Sequence, residues 1–506
     1  MKILFATSEA HPLIKTGGLG DVSGSLPNAL AALKHSLRLV LPAYGAIMER
    51  LPVGSSPKKI ASIMVEGCER NLVAHILELN AGSIKGLDVP IWLVQIPELF
   101  ERAGNPYIAE DGMDWWDNGE RFAVFSKVVV ELAMDRAELN WRADAVHVND
   151  WQTGLVPALL HLEENAPVSV FTVHNMAYPG SFPKSLFEQL GLPWTLWHTE
   201  GVEYWGHFSM LKAGLMFADW VSTVSPTYAK EICYPEYGYG LEGVLLKRAA
   251  QHRLVGILNG IDETVWNPEK DPLIHRNYSA SKGRVVGKQH NKQALLNEMC
   301  LIIGQDDCVI QPKMASWLER PLVGFVGRLV EQKGVDLILT ILPEMLAQST
   351  ANFVIVGSGD RLFEAALLEL AAAHPNRIWV YIGYSEALAH QVEAGADLFL
   401  MPSRFEPCGL NQMYSLAYGT PPIVHHTGGL ADTVVNATDE HLKNGTATGF
   451  VFYDPSRHAL KSTLLHALHL FTKKRTWQAL QKTGMQQNFG WQSSAKHYAK
   501  LYAEKL

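Results

Sequence analysis

The stretch Lys15-Thr16-Gly17-Gly18-Leu19-Gly20-Asp21 follows an apolar run, Ile3 to Thr7, and opens an amphipathic run from about Val22 to Leu33. Strand, glycine loop and helix in that order form an anion-binding layout. Glycines let backbone N–H groups approach a phosphate closely, and the helix dipole turns its positive end to the same point. Lys15 belongs to that reading, because a cation beside a helix N-terminus is repelled by up to ~1 kcal/mol unless an anion sits between them. Far down the chain, Thr427-Gly428-Gly429-Leu430-Ala431-Asp432 repeats the pattern after the apolar run Pro422 to Val424. Two glycine loops of one design, one in each half, predict two Rossmann-like α/β domains facing a shared cleft.

A chain of 506 residues exceeds one ordinary core, which agrees with two domains. The formal net charge of -8 argues against nucleic acid or an anionic membrane surface as partner, since both reward excess Lys and Arg. No apolar run is long enough to span a bilayer. The five cysteines, Cys68, Cys233, Cys300, Cys308 and Cys408, contain no Cys-x-x-Cys pair and are odd in number. Neither a disulfide framework nor a zinc site is indicated, and a reducing cytoplasm is expected.

Short apolar runs alternate with amphipathic ones throughout, the signature of parallel sheets covered by helices. Strands are expected at 3–7, 37–41, 91–95, 145–148, 168–173 and 220–224 in the first half. The second half should place them at 322–326, 353–356, 378–382, 397–401 and 421–424. A long helix is expected over 120–139, burying Phe122, Phe125, Val129 and Leu132. A last strand near Leu254 to Leu258, the turn Asn259-Gly260 and a looser charged segment, 262–292, set the boundary. The domains are therefore read as 1–256 and 257–485, with 486–506 a helix, capped by Ser493 or Ser494, that returns to the first domain.

In open parallel sheets, ligands bind beyond the carboxyl ends of the strands, so polar residues there are the candidates. In the first half these are Lys15, Asp21, Asp150 and His174-Asn175. In the second they are Arg328, Lys333, Gly357-Ser358-Gly359-Asp360, Tyr384, Glu406 and Thr427-Gly428-Gly429. Arg328 and Lys333, two cations at a strand end opposite a glycine loop, suit a diphosphate leaving group. With no Asp-x-Asp in the chain, the expectation is neutralisation without a metal ion or other cofactor. Glu406 either carries charge in the site or complements a helix dipole, and Cys408, Gly409 and Leu410 would add N–H donors beside it. His174 is a ligand residue or a satisfied structural histidine. Among the fourteen tryptophans, Trp115, Trp116, Trp194, Trp197 and Trp205, with Tyr107 and Tyr178, lie in loop-like segments where flat rings can carry sugars; burial is the alternative.

Together, Lys15 through Leu19, Thr172-Val173-His174-Asn175, Leu258-Asn259-Gly260-Ile261-Asp262, Arg328 with Glu331-Gln332-Lys333-Gly334, Pro402 through Leu410, and Thr427 through Asp432 resemble the bacterial glycogen synthases. The resemblance runs over essentially the whole chain. It implies a GT-B fold, two facing Rossmann-like domains, and retaining transfer of glucose from ADP-glucose to the non-reducing end of an α-1,4-glucan. It further implies that Lys15, Gly17 and Gly18 serve the diphosphate and sugar, Arg328 and Lys333 the phosphates, Tyr384 the adenine and Glu406 the reacting glucose. His174 and Asn259 match sugar-side residues, and Asp150 the polar group near the anomeric carbon. Asn149 and Gln152 stand where that family often has histidine, Asn411 where it usually has threonine, and His425-His426 where paired arginines are common. Tyr414 replaces a second glutamate found in many related transferases, which favours the glycogen and starch synthase branch. A dinucleotide-dependent oxidoreductase fits worse, because the third glycine of its fingerprint falls one place late, at Gly24. A non-catalytic glucan-binding protein would leave Arg328, Lys333 and Glu406 unexplained, and a phosphorylase would need a pyridoxal phosphate lysine.

Overall fold

Strand Lys2–Ala6, apolar and fully backed on both faces, lies at the centre of a nine-stranded sheet among the described residues of the first unit. The order across that sheet is Leu254–Gly256, Trp220–Thr223, Val168–Val173, Ala145–Asn149, Lys2–Ala6, Ser36–Pro42, Ile91–Gln95, Asn71–Leu79 and Lys58–Glu66. All neighbours are parallel up to Ile91–Gln95; the last two strands pair antiparallel. The computed structural model describes residues 1–52, 54–282, 285, 287–302 and 318–504. It divides into one unit of Met1–Gly260 with Trp491–Leu506 and another of Ile261–Gly490. Cys308 lies outside the described residues.

The second unit is built on a six-stranded parallel sheet in the order Ile378–Ile382, Asn352–Gly357, Leu322–Val326, Leu398–Met401, Pro422–His425 and Phe450–Phe452. Val323, Phe325, Phe353, Ile355, Leu398 and Leu400 point to one core, with Ile338, Ile341, Leu342 and Leu464 from the covering helices. Leu322, Val354, Val356, Phe399 and Met401 point to the other, so alternate residues of each strand are buried on both faces. No helix among the described residues is long and apolar enough to cross a membrane.

Four local expectations are corrected. The helix expected over 120–139 runs Asn118–Ala133, because Asp135 turns left-handed (φ 58°) directly after it; Phe122, Phe125, Val129 and Leu132 are nonetheless buried. The antiparallel pair Lys58–Glu66 and Asn71–Leu79 was not expected. The described residues of segment 262–292 are anchored rather than loose: Asp271, Ile274 and Tyr278 are buried, and helix Gly287–Ile302 begins within it. The C-terminal helix starts at Trp491, and Ser494 caps nothing; its hydroxyl donates to the Leu258 carbonyl. Tyr498, Leu501 and Tyr502 are buried as their spacing requires.

Candidate active site

In the second unit, strand Leu398–Met401 delivers the loop Pro402 to Leu410, whose course is fixed by backbone-to-backbone packing. Gly428, with φ +43°, lies so close that a Cβ on it would be 2.0 Å from the Glu406 carbonyl oxygen. A Cβ on Gly429 would lie 2.0 Å from the Cys408 carbonyl, and the Gly429 N–H donates to Glu406 O at 3.1 Å. Only glycine allows this contact. His425, buried, donates Nδ1–H to the Ser403 carbonyl at 2.9 Å and so braces the same loop from strand Pro422–His425.

Glu406 is held at this loop with its carboxylate nearly covered. Its Oε2 accepts from Lys333 Nζ at 2.5 Å and from Ser403 Oγ at 3.0 Å, while Oε1 takes no hydrogen bond from the described residues. Lys333 comes from the short turn Glu331–Lys333 after strand Leu322–Val326. Gly334, at φ +71°, lets that turn lie on the chain at Pro402, where a Cβ would meet the Pro402 carbonyl at 2.2 Å. Arg328 is exposed and reaches Gln332 Oε1 at 3.2 Å. Asn411 donates to the Val326 carbonyl at 2.8 Å and ties helix Asn411–Ala417 to the same strand end. A pocket lined by Val326, Gly327, Lys333, Ser403, Glu406, Gly409 and Leu410 lies where these ends meet. Tyr384 stands three-quarters exposed beyond strand Ile378–Ile382.

In the first unit, Lys15 Nζ pairs with Asp21 at 2.7 Å, so a carboxylate of the helix's first turn is one anion beside it. The helix begins at Gly18, inside the glycine pair. Glu9, which sequence reasoning passed over, organises the loop: its carboxylate accepts from Thr16 N–H, Thr16 Oγ1 and Gly17 N–H, and from Tyr107 OH at 2.6 Å. Part of the loop's donor set is thus taken by the chain itself. The rule that selected Asp150 and His174, polar residues just past a strand's carboxyl end, also covers Thr7-Ser8-Glu9 and could have found it.

Asp150 follows strand Ala145–Asn149 with φ 55° and ψ -178°, a region costing roughly 1–3 kcal/mol for a residue with a side chain. Hydrogen bonds sustain it, among them those from its own N–H to Thr172 O, from Thr153 N–H to its carbonyl at 3.2 Å and from His174 N–H to its Oδ1 at 2.7 Å. Burial pushes its carboxyl up to about 7, against the opposing pull of the His174 and Asn175 N–H groups. Burial pushes the His174 imidazole down to about 3. Asn259 is buried, and its Oδ1 has no hydrogen-bond partner among the described residues. Of the candidate sugar carriers, Trp116, Trp194, Trp205 and Tyr178 are more than half exposed; Trp115, Trp197 and Tyr107 are partly buried.

A buried carboxylate paired to a lysine, beside glycine loops at strand ends, is the equipment of a group transferase, and comparison with known proteins specifies which. The starch synthase catalytic domain family matches residues 2–247, and the family of glycosyl transferases group 1 matches residues 310–479. The chain is a glycosyltransferase. Over 503 residues it is 64% identical to a glycogen synthase of Hydrogenovibrio crunogenus, covering 99% of both chains. It is 47% identical to a glycogen synthase of Thioalkalivibrio sulfidiphilus over 100% of its own length and 99% of the relative's. It therefore belongs to the glycogen synthase family. The solved catalytic domain of starch synthase IV from Arabidopsis thaliana, bound to ADP and acarbose, has the same fold, with a TM-score of 0.83 at 29% identity over 99% of this chain and 98% of that one.

Proposed function

We propose that the chain elongates an α-1,4-glucan by transferring glucose from ADP-glucose to its non-reducing end with retention at the anomeric carbon. The observation that carries this is the Lys333–Glu406 pair, held at a strand end by glycine packing in a chain 64% identical to a glycogen synthase. In the reaction, the C1–O bond to phosphate breaks, ADP leaves with the electron pair, and a glucan hydroxyl forms the new C1–O bond as it gives up its proton. Charge grows on the diphosphate and, with opposite sign, on the sugar ring. Arg328 and Lys333 answer the first, without a metal ion. Glu406 answers the second, with the unoccupied Oε1 directed to the glucose and Oε2 anchored by Lys333 and Ser403.

The first unit is assigned the acceptor and part of the donor, through Lys15, Gly17, Gly18, Asp21, Asp150, His174 and Asn259. The second is assigned the nucleotide, through Arg328, Lys333, Tyr384, Cys408, Gly409, Leu410 and Thr427 to Gly429. Cys68 and Cys233 form no disulfide among the described residues, which fits the cytoplasm. The test is incorporation of labelled glucose into a glucan primer from ADP-glucose and, in parallel, UDP-glucose. Turnover with ADP-glucose is expected; glucan binding without turnover of either donor would overturn the proposal.

A further inference from the structure

Asn149 ends strand Ala145–Asn149 and is completely buried. Its backbone N–H and carbonyl both bond the Thr153 hydroxyl, at 2.6 and 2.8 Å, which fixes its position. The side chain lies between two groups, with Nδ2 3.1 Å from the Ala6 carbonyl and Oδ1 3.0 Å from His174 Nε2. A carbonyl oxygen can only accept, so the amide edge facing Ala6 must be the NH2. The edge facing His174 is then an oxygen with no proton to give, and the imidazole must supply one. His174 is neutral at ordinary pH because burial opposes its charging, and a neutral imidazole carries a single proton. With that proton on Nε2, Nδ1 keeps a bare lone pair, and it takes no hydrogen bond from the described residues.

We propose that Asn149 is a positioning residue that locks His174 in the Nε2–H tautomer, making Nδ1 an obligate acceptor for a hydroxyl group of the bound sugar. A lone pair repels phosphate and carbonyl oxygens, and among the groups of the sugar itself a hydroxyl is the one that can satisfy it. His174 thereby separates the sugar end of the donor from its diphosphate. A histidine at 149, frequent in the resembling family, has two tautomers of its own and would leave the choice open. Asn149 has one acceptor edge and one donor edge, and Ala6 decides which is which. The charged or titratable groups near the ring are Asp150, whose Oδ1 holds the His174 backbone N–H, and His147, itself neutral through burial.

The sugar as ligand rests on the activity proposed above; the tautomer does not. Nitrogen-15 NMR of protein labelled in its histidine rings, with His174 assigned by subtraction of the His174→Gln spectrum, reads the tautomer without substrate. The wild type should show a protonated Nε2 and a bare Nδ1 throughout the neutral range. In Asn149→Asp, the carboxylate should draw a second proton onto the ring and bring the imidazolium pattern in at higher pH than in the wild type. Kinetics with ADP-glucose analogues carrying fluorine in place of single hydroxyls test the ligand, since fluorine cannot donate. One position should lose about tenfold or more in kcat/KM, and that loss should vanish in His174→Ala. A proton on Nδ1 in the wild type, or an unchanged ring in Asn149→Asp, overturns the tautomer lock. Equal tolerance of fluorine at every position overturns the hydroxyl assignment. A wild type that turns over no nucleotide sugar defeats the proposed function instead, and the NMR result still decides the tautomer.

Discussion

The two glycine loops read alike in sequence but hold glycine for different physical reasons, and alanine substitution separates them. A Cβ on Gly17 or Gly18 would meet no atom of the chain within 4 Å, and neither residue has a left-handed φ. Alanine there costs the fold nothing, and at Gly18, the first helical residue, it should stabilise by between zero and ~1 kcal/mol. A Cβ on Gly429 would sit 2.0 Å from a carbonyl oxygen of the Cys408 backbone, where no flexible side chain can give way. Backbone has to move by more than about 1 Å, which places the cost at or above the ~1–3 kcal/mol typical of overpacking. In a domain of this size that is a melting temperature lower by about 3–10 °C. Gly428→Ala adds left-handed strain, since its φ is +43°.

Function should divide the other way at the first loop. If Gly17 and Gly18 are glycine so that backbone N–H groups can approach a diphosphate or sugar, a methyl group there should cost about 10- to 100-fold in kcat/KM for the donor with no loss of stability. Thermal melts by circular dichroism and initial rates with ADP-glucose, measured on the same preparations, give both quantities. Gly18→Ala with wild-type kcat/KM would remove the first loop from the donor site. Gly429→Ala with an unchanged melt would refute the close-packing account of the second.

Lys333→Ala should lower the rate about 10²-fold, because it removes the anchor of Glu406 and, under the proposed function, a phosphate cation; wild-type activity should survive excess chelator, and its full loss, restored by magnesium or manganese, would contradict a metal-free site. Glu406→Gln should cut kcat far more than it raises the donor KM, and a change in KM alone would make Glu406 a binding residue. With the Asp150 carboxyl pushed up to about 7, kcat/KM should rise as pH increases through that value if the ionised form is the working one, and Asp150→Asn should flatten the rise. His147, whose folded pKa is down at about 3 from 6.5, contributes an acid-sensitive part of the stability: between those values the unfolded chain binds a proton at this site that the folded chain refuses. That contribution falls as pH falls, at up to ~1.4 kcal/mol per pH unit, while the raised Asp150 carboxyl acts in the opposite sense, so the stability of the wild type relative to His147→Gln in denaturant titrations should decline from pH 6.5 towards 3.

Strands were legible wherever a short apolar run was bounded by turn residues, as at 168–173 or 322–326, because both faces are buried and the run is continuous. The pair at 58–66 and 71–79 was missed because its burial alternates, so its apolar residues are diluted by exposed Lys58, Lys59 and Glu66. The length of helix Asn118–Ala133 was overestimated because nothing in Met134-Asp135 advertises a left-handed turn. At the candidate site, residue types at strand ends picked out Glu406, Lys333, Asp150 and His174, and the structure joins them pairwise. The braces differ: Glu9 lies within reach of the strand-end rule, whereas Ser403 acts through a single hydroxyl and His425 through a contact distant in sequence. In the sequence His425 stands out only as a departure where the resembling family commonly has paired arginines, whereas in the structure its ring braces the Glu406 loop.

Tyr414, where many related transferases resemble one another in carrying a second glutamate, takes a packing position in this chain. The side chain stacks on Trp266 at 3.7 Å between centroids, and His390 stacks with Trp266 at the same distance. His390 and Tyr418 in turn hydrogen-bond the buried Asp271 carboxylate, and Tyr278 donates to the Tyr418 carbonyl at 2.7 Å. The segment around 266–278, which looks loose because it is polar and rich in turn residues, is therefore pinned to helices Glu386–Gly395 and Asn411–Ala417 by rings and by one shared carboxylate. Helix Asn411–Ala417 begins five residues after Glu406, and its first residue bonds the end of strand Leu322–Val326, from which Arg328 and Lys333 follow. Ring stacking behind the helix thus restrains the same element that Asn411 ties to the strand end in front. Under the proposed function Glu406 needs close placement against a sugar, and these contacts restrain the elements that carry it. In the position where the resemblance marks a second acid in related transferases, this chain has a ring that stacks on Trp266 and ties helix Asn411–Ala417 to the segment around 266–278.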